Sequence, residues 1–335
     1  MATTGLTTVS VPKTRGASSP RILQRLEDAA HYGFQDFDYR LLQPAIARLP
    51  LRVGQAVADA RGCVNALFDL DWRSLYLRRR YVRTATFRAM RRLVPDRGRW
   101  TWAAKTVLRF VHMAREEWLA AVGHERSLQF LVDCSDLKGI EPLLQAQRAG
   151  RGIVLLSCHY GSLPAGIVLL GLSGLRVNFL ASAVVELPTV HPAITDFYRR
   201  KYRGFERHMN GGRVVYFERS PRYFYRALQR GEAVIVLGDL RSKGKRALDV
   251  PFFGAARRMA QGPVRMAQRT GSLLSAYLCH HEPGGRYSLE CAPLIDISAD
   301  PSKAAELYAF LEARILQRPE QWWAADLLHS YDEVD

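Results

Sequence analysis

Residues 152–175 read Gly-Ile-Val-Leu-Leu-Ser-Cys-His-Tyr-Gly-Ser-Leu-Pro-Ala-Gly-Ile-Val-Leu-Leu-Gly-Leu-Ser-Gly-Leu, an uncharged run between Arg151 and Arg176. A run of this length is enough to cross a bilayer as one helix. Its centre argues otherwise, because His159, Tyr160, Ser162 and Pro164 sit there and glycines recur at 161, 166, 171 and 174. A strand over Ile153–Cys158, a polar turn and a buried helix from about Pro164 accommodate the same residues. Proline is tolerated in a first helical turn, where its missing N–H would go unpaired anyway. The stretch is read as strand–turn–helix.

The same alternation continues outward. Further strands are expected at Val177–Ala181, Arg213–Phe217, Ala233–Leu237, Leu273–Leu278 and Tyr287–Cys291. Helical stretches lie between them at Ile167–Leu172, Ala193–Tyr202, Pro221–Arg230 and, after a long loop, Pro263–Arg269, with Pro301–Gln317 as a final helix. Strands alternating with helices imply an α/β fold with a largely parallel central sheet and helices on both faces. Upstream the periodicity is helical over Val53–Leu70, Leu75–Leu93 and Trp102–Val122, with Pro95 as a breaker. The expected organisation is a disordered tail over 1–20, an N-terminal helical region over 21–125 packed on the main domain, and the α/β domain over 126–335.

The 335 residues are 48% apolar and 24% charged, which excludes a disordered chain, a collagen-like repeat and a disulfide scaffold. Lys and Arg total 48 against 32 Asp and Glu, a net charge of +16, and this excess predicts an anionic partner. The charge is uneven. From Asp71 to Arg115 thirteen basic residues face two acids, a docking face for an anionic partner or membrane surface. The five scattered cysteines form no C-x-x-C pair, arguing for a reducing, cytoplasmic setting and against a zinc site. The N-terminal residues carry no apolar segment of the secretory type. No metal or cofactor is called for, and His280-His281-Glu282 beside Pro283-Gly284-Gly285 reads as a hairpin loop.

In parallel α/β sheets ligands bind beyond the carboxyl ends of the strands. Two such ends stand out: Ser157-Cys158-His159-Tyr160-Gly161-Ser162, and Gly238-Asp239-Leu240-Arg241 running on to Lys243 and Arg246. His159 suits general-base work, and Gly161, Ser162 and the following helix N-terminus suit an oxyanion. Asp239 either caps its turn or orients the base. Arg241, Lys243 and Arg246, with Arg213, are candidates for holding phosphate or carboxylate. Cys158 is a small core residue or a covalent participant. Trp322-Trp323 and Trp100/Trp102 suit a membrane interface or, chiefly, packing.

These stretches also carry a family resemblance. Gly150 to Gly161 resembles the histidine block of the lysophospholipid acyltransferase superfamily, in its lipid A biosynthesis (late) acyltransferase branch. Ala227–Asp239 resembles the branch's helix–strand–Asp segment, Val250-Pro-Phe-Phe-Gly254 its Val-Pro-Phe-Phe-Gly block, and Pro319-Glu-Gln-Trp-Trp323 its C-terminal segment. The region from Arg83 to Pro95 agrees as well, so the likeness covers about residues 45–325. The resemblance implies acyl transfer from a thioester to a hydroxyl or amine, with the His of an His-x4-Asp/Glu motif as base.

This chain departs from that motif, since its fifth position is Pro164 and the next acid after His159 is Glu186. Three explanations stand open. Another carboxylate, Asp239 first, orients His159. Alternatively, His159 works unaided on a strong nucleophile or with Cys158, or the fold is a non-catalytic scaffold that binds nucleic acid or anionic lipid through 71–115. On the enzymatic reading the partners are an acidic donor carrier (acyl carrier protein, CoA or aminoacyl-tRNA) and a small-molecule or lipid acceptor. The expected location is cytoplasmic or peripheral at an anionic inner membrane, and no DNA partner is expected.

Overall fold

A computed structural model describes residues 32–76, 81–242 and 247–332; the expected tail over 1–20 lies outside them. Its centre is a seven-stranded sheet. In chain order the strands are β1 (Ser135–Lys138), β2 (Ile153–Ser157), β3 (Val177–Ala181), β4 (Val214–Tyr216) and β5 (Ala233–Leu237). A separate hairpin of β6 (Ala247–Phe252) and β7 (Ala255–Ala260) follows, then β8 (Leu273–Glu282) and β9 (Arg286–Cys291). The sheet order is β1-β9-β8-β2-β5-β3-β4. Only the β8–β9 pairing is antiparallel, so β1 and β9 run against the other strands at one edge. The fold is α/β with a mostly parallel sheet and an N-terminal helical region.

Successive residues of a strand face opposite sides of its sheet. Ile153, Leu155 and Ile235 accordingly join a core on one face, with Leu163–Leu172 and Pro192–Glu206 above them. Val154, Leu156, Val234 and Val236 join a second core under Pro221–Gln229, Gly262–Thr270 and Ala304–Gln317. Residues 152–175 are indeed strand, turn and helix, and among the described residues no helix is long and apolar enough to cross a membrane.

Two local readings change. His280 and His281 lie buried inside β8, and the hairpin turn is Pro283–Gly285. The β8 strand overruns its expected end because both imidazoles are covered by packing. The long loop before Pro263 contains the β6–β7 hairpin, turned at Phe253 and Gly254, both at positive φ. Pro251 sits within β6, which a two-stranded ribbon tolerates because both of its strands are edges.

The upstream region is built on Leu51–Phe68 and the long helix Arg99–Glu125. Glycine lets these two helices touch: a Cβ at Gly62 would lie 2.5 Å from Val111 Cα. Within the described residues the expected Leu75–Leu93 helix is two pieces, Trp72–Tyr76 and Val82–Leu93. A buried ion network ties the region together. Arg61 donates to Asp38 Oδ1 at 2.7 Å and to Glu117 Oε2 at 2.7 Å, and Tyr39 donates to Glu117 Oε1 at 2.7 Å.

Removing one partner of a buried ion pair strands the other charges, typically at a cost of about 3–5 kcal/mol. Arg61→Met leaves Asp38 and Glu117 facing each other unneutralised. It should lower the unfolding free energy at neutral pH by roughly that amount, read from urea midpoints. A loss within the scatter of ordinary surface substitutions would show that the two carboxylates do not depend on the guanidinium.

Candidate active site

The site follows from strand register. Ser157 pairs with Leu237, so β2 and β5 end level with each other. Gly238 N–H donates to Ser157 O at 2.8 Å, and two residues beyond each strand end stand His159 and Asp239. The His159 Nδ1 lies 2.8 Å from Asp239 Oδ1, and the His159 backbone N–H donates to Oδ2 at 2.8 Å.

Asp239 has a fully buried side chain, whereas the His159 side chain is 24% exposed. A third donor, Trp322 Nε1, reaches Oδ2 at 2.8 Å. Burial pushes the Asp239 carboxyl up, but the His159 ring and these hydrogen bonds outweigh it and hold the group below the usual carboxylate range. A carboxylate at Nδ1 selects the tautomer with its proton there. Nε2 then keeps its lone pair, with no hydrogen bond to it among the described residues.

Trp322 belongs to Pro319–Trp323, a strap that holds the histidine turn. Trp323 N–H donates to His159 O at 2.9 Å, and its ring meets the imidazole edge-on with centroids 5.2 Å apart. Gln321 O accepts from Gly161 N–H at 2.8 Å, while the Gln321 side-chain amide exchanges two hydrogen bonds, each 2.9 Å, with the His281 backbone. The strap is fixed from behind by Arg109, wholly buried, whose Nη2 donates to Trp323 O at 2.6 Å. The sequence signal was the Gln-Trp pair after Pro319. Trp322, a packing residue by its sequence pattern, is in the structure a hydrogen-bond donor to Asp239.

The other sequence candidates fall as follows. Gly161 is at φ +55, and a Cβ there would lie 1.9 Å from Cys279 O. Its N–H is held by Gln321, the Ser162 N–H donates to Cys279 O at 2.7 Å, and Ser162 Oγ caps the helix through Ala165 N–H. Both residues thus use these groups to hold the turn. Cys158 is buried, and burial, with the Asp239 charge behind it, pushes its thiol well up.

Arg241 lies two residues beyond Asp239 and donates to Ser330 O at 3.1 Å. Lys243 and Arg246 lie outside the described residues. Arg213 precedes β4, at the amino end of that strand and so at the opposite end of the sheet from His159. A second carboxyl, Glu116, is buried on the Ser162 side, with Oε1 3.6 Å from His281 Nε2. Burial drives it up to about 8 against the pull of the Lys201 ammonium.

The basic segment 71–115 is less one-sided than its sequence. Arg73, Lys105, Arg109 and Arg115 pair with Asp71, Glu320, Asp71 and Asp59 respectively. Arg78, Arg79 and Arg80 lie outside the described residues, and Arg83, Arg88, Arg91, Arg92, Arg97 and Arg99 are exposed.

Comparison with known proteins agrees with this architecture. A family model described as bacterial lipid A biosynthesis acyltransferase matches residues 103–327. A "Lipid A biosynthesis acyltransferase" of Haemophilus influenzae is 23% identical over 208 residues, 61% of this chain and 62% of that protein. A "Phosphatidylinositol mannoside acyltransferase" of Mycobacterium tuberculosis is 29% identical over 202 residues, 57% of this chain and 61% of that protein. The chain spans about three fifths of the length of these curated relatives.

A carboxyl held below its unfolded pKa contributes stability that is present above that value, about 3.9, and lost as pH falls through the folded one. For Asp239 the loss therefore falls below about pH 4. Asp239→Asn should flatten that part of the acid arm when urea midpoints are compared at pH 5 and pH 3. Parallel acid arms for the two proteins would contradict a charged, hydrogen-bonded Asp239.

Proposed function

Because the chain belongs to the bacterial lipid A biosynthesis acyltransferase family, we propose that it transfers an acyl group from an activated donor to a hydroxyl or amine, with His159 as general base and Asp239 as the acid that orients it. The observation that carries this reading is the 2.8 Å contact between Nδ1 and a buried carboxylate, which leaves Nε2 as the basic nitrogen at a partly open position. His159 Nε2 takes the acceptor's proton as its oxygen or nitrogen bonds to the donor carbonyl carbon. The tetrahedral intermediate then expels the donor's sulfur or oxygen, which recovers the proton from the imidazolium. Asp239 stabilises that imidazolium, and a positioned base of this kind contributes about 10²–10⁴-fold.

The Pro319–Trp323 strap keeps the dyad in register, with Trp322 as a positioning residue. The buried Cys158 thiol supports direct transfer without an acyl-cysteine stage. The donor we propose is an anionic carrier: acyl carrier protein or CoA as a thioester, or aminoacyl-tRNA as an ester. Exposed arginines support it, and we assign Arg241, two residues beyond Asp239 in sequence, to donor phosphate. The acceptor is a lipid or a small molecule.

The experiment is a donor panel of acyl carrier protein, acyl-CoA and aminoacyl-tRNA, followed by loss of the thioester or ester. His159→Ala and Asp239→Asn should each lower kcat by at least about 10²-fold. Trp322→Phe should lower kcat with KM little changed. Turnover by His159→Ala at the wild-type rate would falsify the assignment. Salt-sensitive carrier binding without turnover by any donor would instead mark the fold as a binding scaffold.

A further inference from the structure

The helix Leu51–Phe68 is amphipathic in the wrong sense for a water-facing helix. Its buried side carries Gly54, Arg61, Gly62 and Asn65. Its outward side carries Val53, Val57, Val64, Leu67 and Phe68, which are 37–65% exposed. Ala56, Ala60 and Cys63 fill the positions between them; Arg52 is the one exposed charge of the helix, and the half-buried Asp59 at its edge is neutralised by Arg115. An ordinary surface helix turns its large apolar residues inward. A contiguous exposed apolar face of this kind marks an interaction site.

The face continues onto the long helix. Val107 and Leu108 are exposed within one turn of Val111, the residue against which Gly62 packs. At that helix's amino end Trp100 is 76% exposed, with the Arg99 guanidinium 5.1 Å from its ring centroid. Arg52 stands at one end of the apolar stripe. At the other, Arg83 donates to Leu67 O at 2.5 Å.

We propose that this outward face, with its arginine rim and Trp100, is the surface by which the protein docks on an anionic lipid bilayer. An apolar stripe bounded by cations, with an aromatic at the boundary, matches the acyl chains and headgroups of such a surface. The other occupants fit less well. A second copy would bring the same arginine rim against this one, in a chain whose net charge is +16. Residues 1–31 are themselves net basic, with Lys13, Arg15, Arg21 and Arg25 against Glu27 and Asp28, and would not neutralise the rim.

The face is also joined to the site. The helix ends at Phe68, and three residues on Asp71 accepts from Arg109, which holds Trp323 O beside His159. Docking and acyl transfer are nevertheless separable, since no residue of the face belongs to the dyad or its strap.

The test is flotation of the full chain with vesicles of phosphatidylglycerol and phosphatidylcholine, against phosphatidylcholine alone. The chain should float with the anionic vesicles only, and be released as salt rises from about 0.05 M to about 0.5 M. A polarity-sensitive probe on Cys63, an exposed thiol on the face, should shift to the blue and lose access to an aqueous quencher as vesicles are added. Val64→Asp with Leu67→Asp should weaken anionic-vesicle binding at least about tenfold, with circular dichroism and turnover of a soluble donor–acceptor pair unchanged.

Three results would overturn the proposal. The first is unaltered flotation of the double variant, or no flotation of the wild type. The second is a wild-type dimer that becomes a monomer in the variant, which would assign the face to a second copy. The third is a Cys63 shielded from the quencher in the lipid-free monomer, which would assign it to the chain's own residues.

Discussion

The buried carboxylate of Asp239 is the constraint around which the site is organised. A charge with no solvent contact is stable only when hydrogen-bonded and paired. Its donors come from segments far apart in sequence: the His159 backbone and ring at the end of β2, and the Trp322 indole in the C-terminal strap. Its own backbone carbonyl accepts from the Tyr331 hydroxyl. Satisfying one carboxylate therefore brings β2, its parallel neighbour β5 and the last segment of the chain to one point. Geometry that stabilises the fold is here the same geometry that sets the imidazole tautomer.

The upstream helices take part in this through a second layer of buried charge. Arg109 and Arg73 share Asp71, and Arg73 also reaches Asp326 at 3.1 Å, just beyond the strap. Arg109 grips the Trp323 carbonyl with both Nε and Nη2. The strap is thus clamped between the sheet and the long helix by the two arginines of residues 71–115 that turn inward to it, Arg73 and Arg109. Net charge in a segment does not measure surface charge when the fold supplies its counter-ions.

The parts legible from sequence were those with a local cause. Apolar runs bounded by turns gave the six main strands, and Pro164 gave the start of the helix after His159. Asp239 stood out because it follows an apolar run in the way His159 does. Its partnership depended on β2–β5 register, a long-range property that no local pattern encodes. The β6–β7 hairpin was hidden by Pro251 and by arginines on a half-exposed ribbon. The inverted helix Leu51–Phe68 was hidden differently: its valines and leucine have helical spacing whichever side faces outward, and only the glycine contacts with Val111 and Trp118 fix the orientation.

The register also accounts for the missing acid of the His-x4-Asp/Glu motif. Every residue of the helix Leu163–Leu172 except its last is buried, between the sheet and the long helix, and Pro164 is among them. A carboxylate at residue 164 would need its own buried donors, in a helix whose side chains offer none. At the end of β5 the same charge finds three donors already in place. A single acid suffices to hold Nδ1, and a second carboxylate close to it would repel the first. With a carboxylate already brought to His159 Nδ1 from the end of β5, residue 164 is released to serve the helix start, where proline fits.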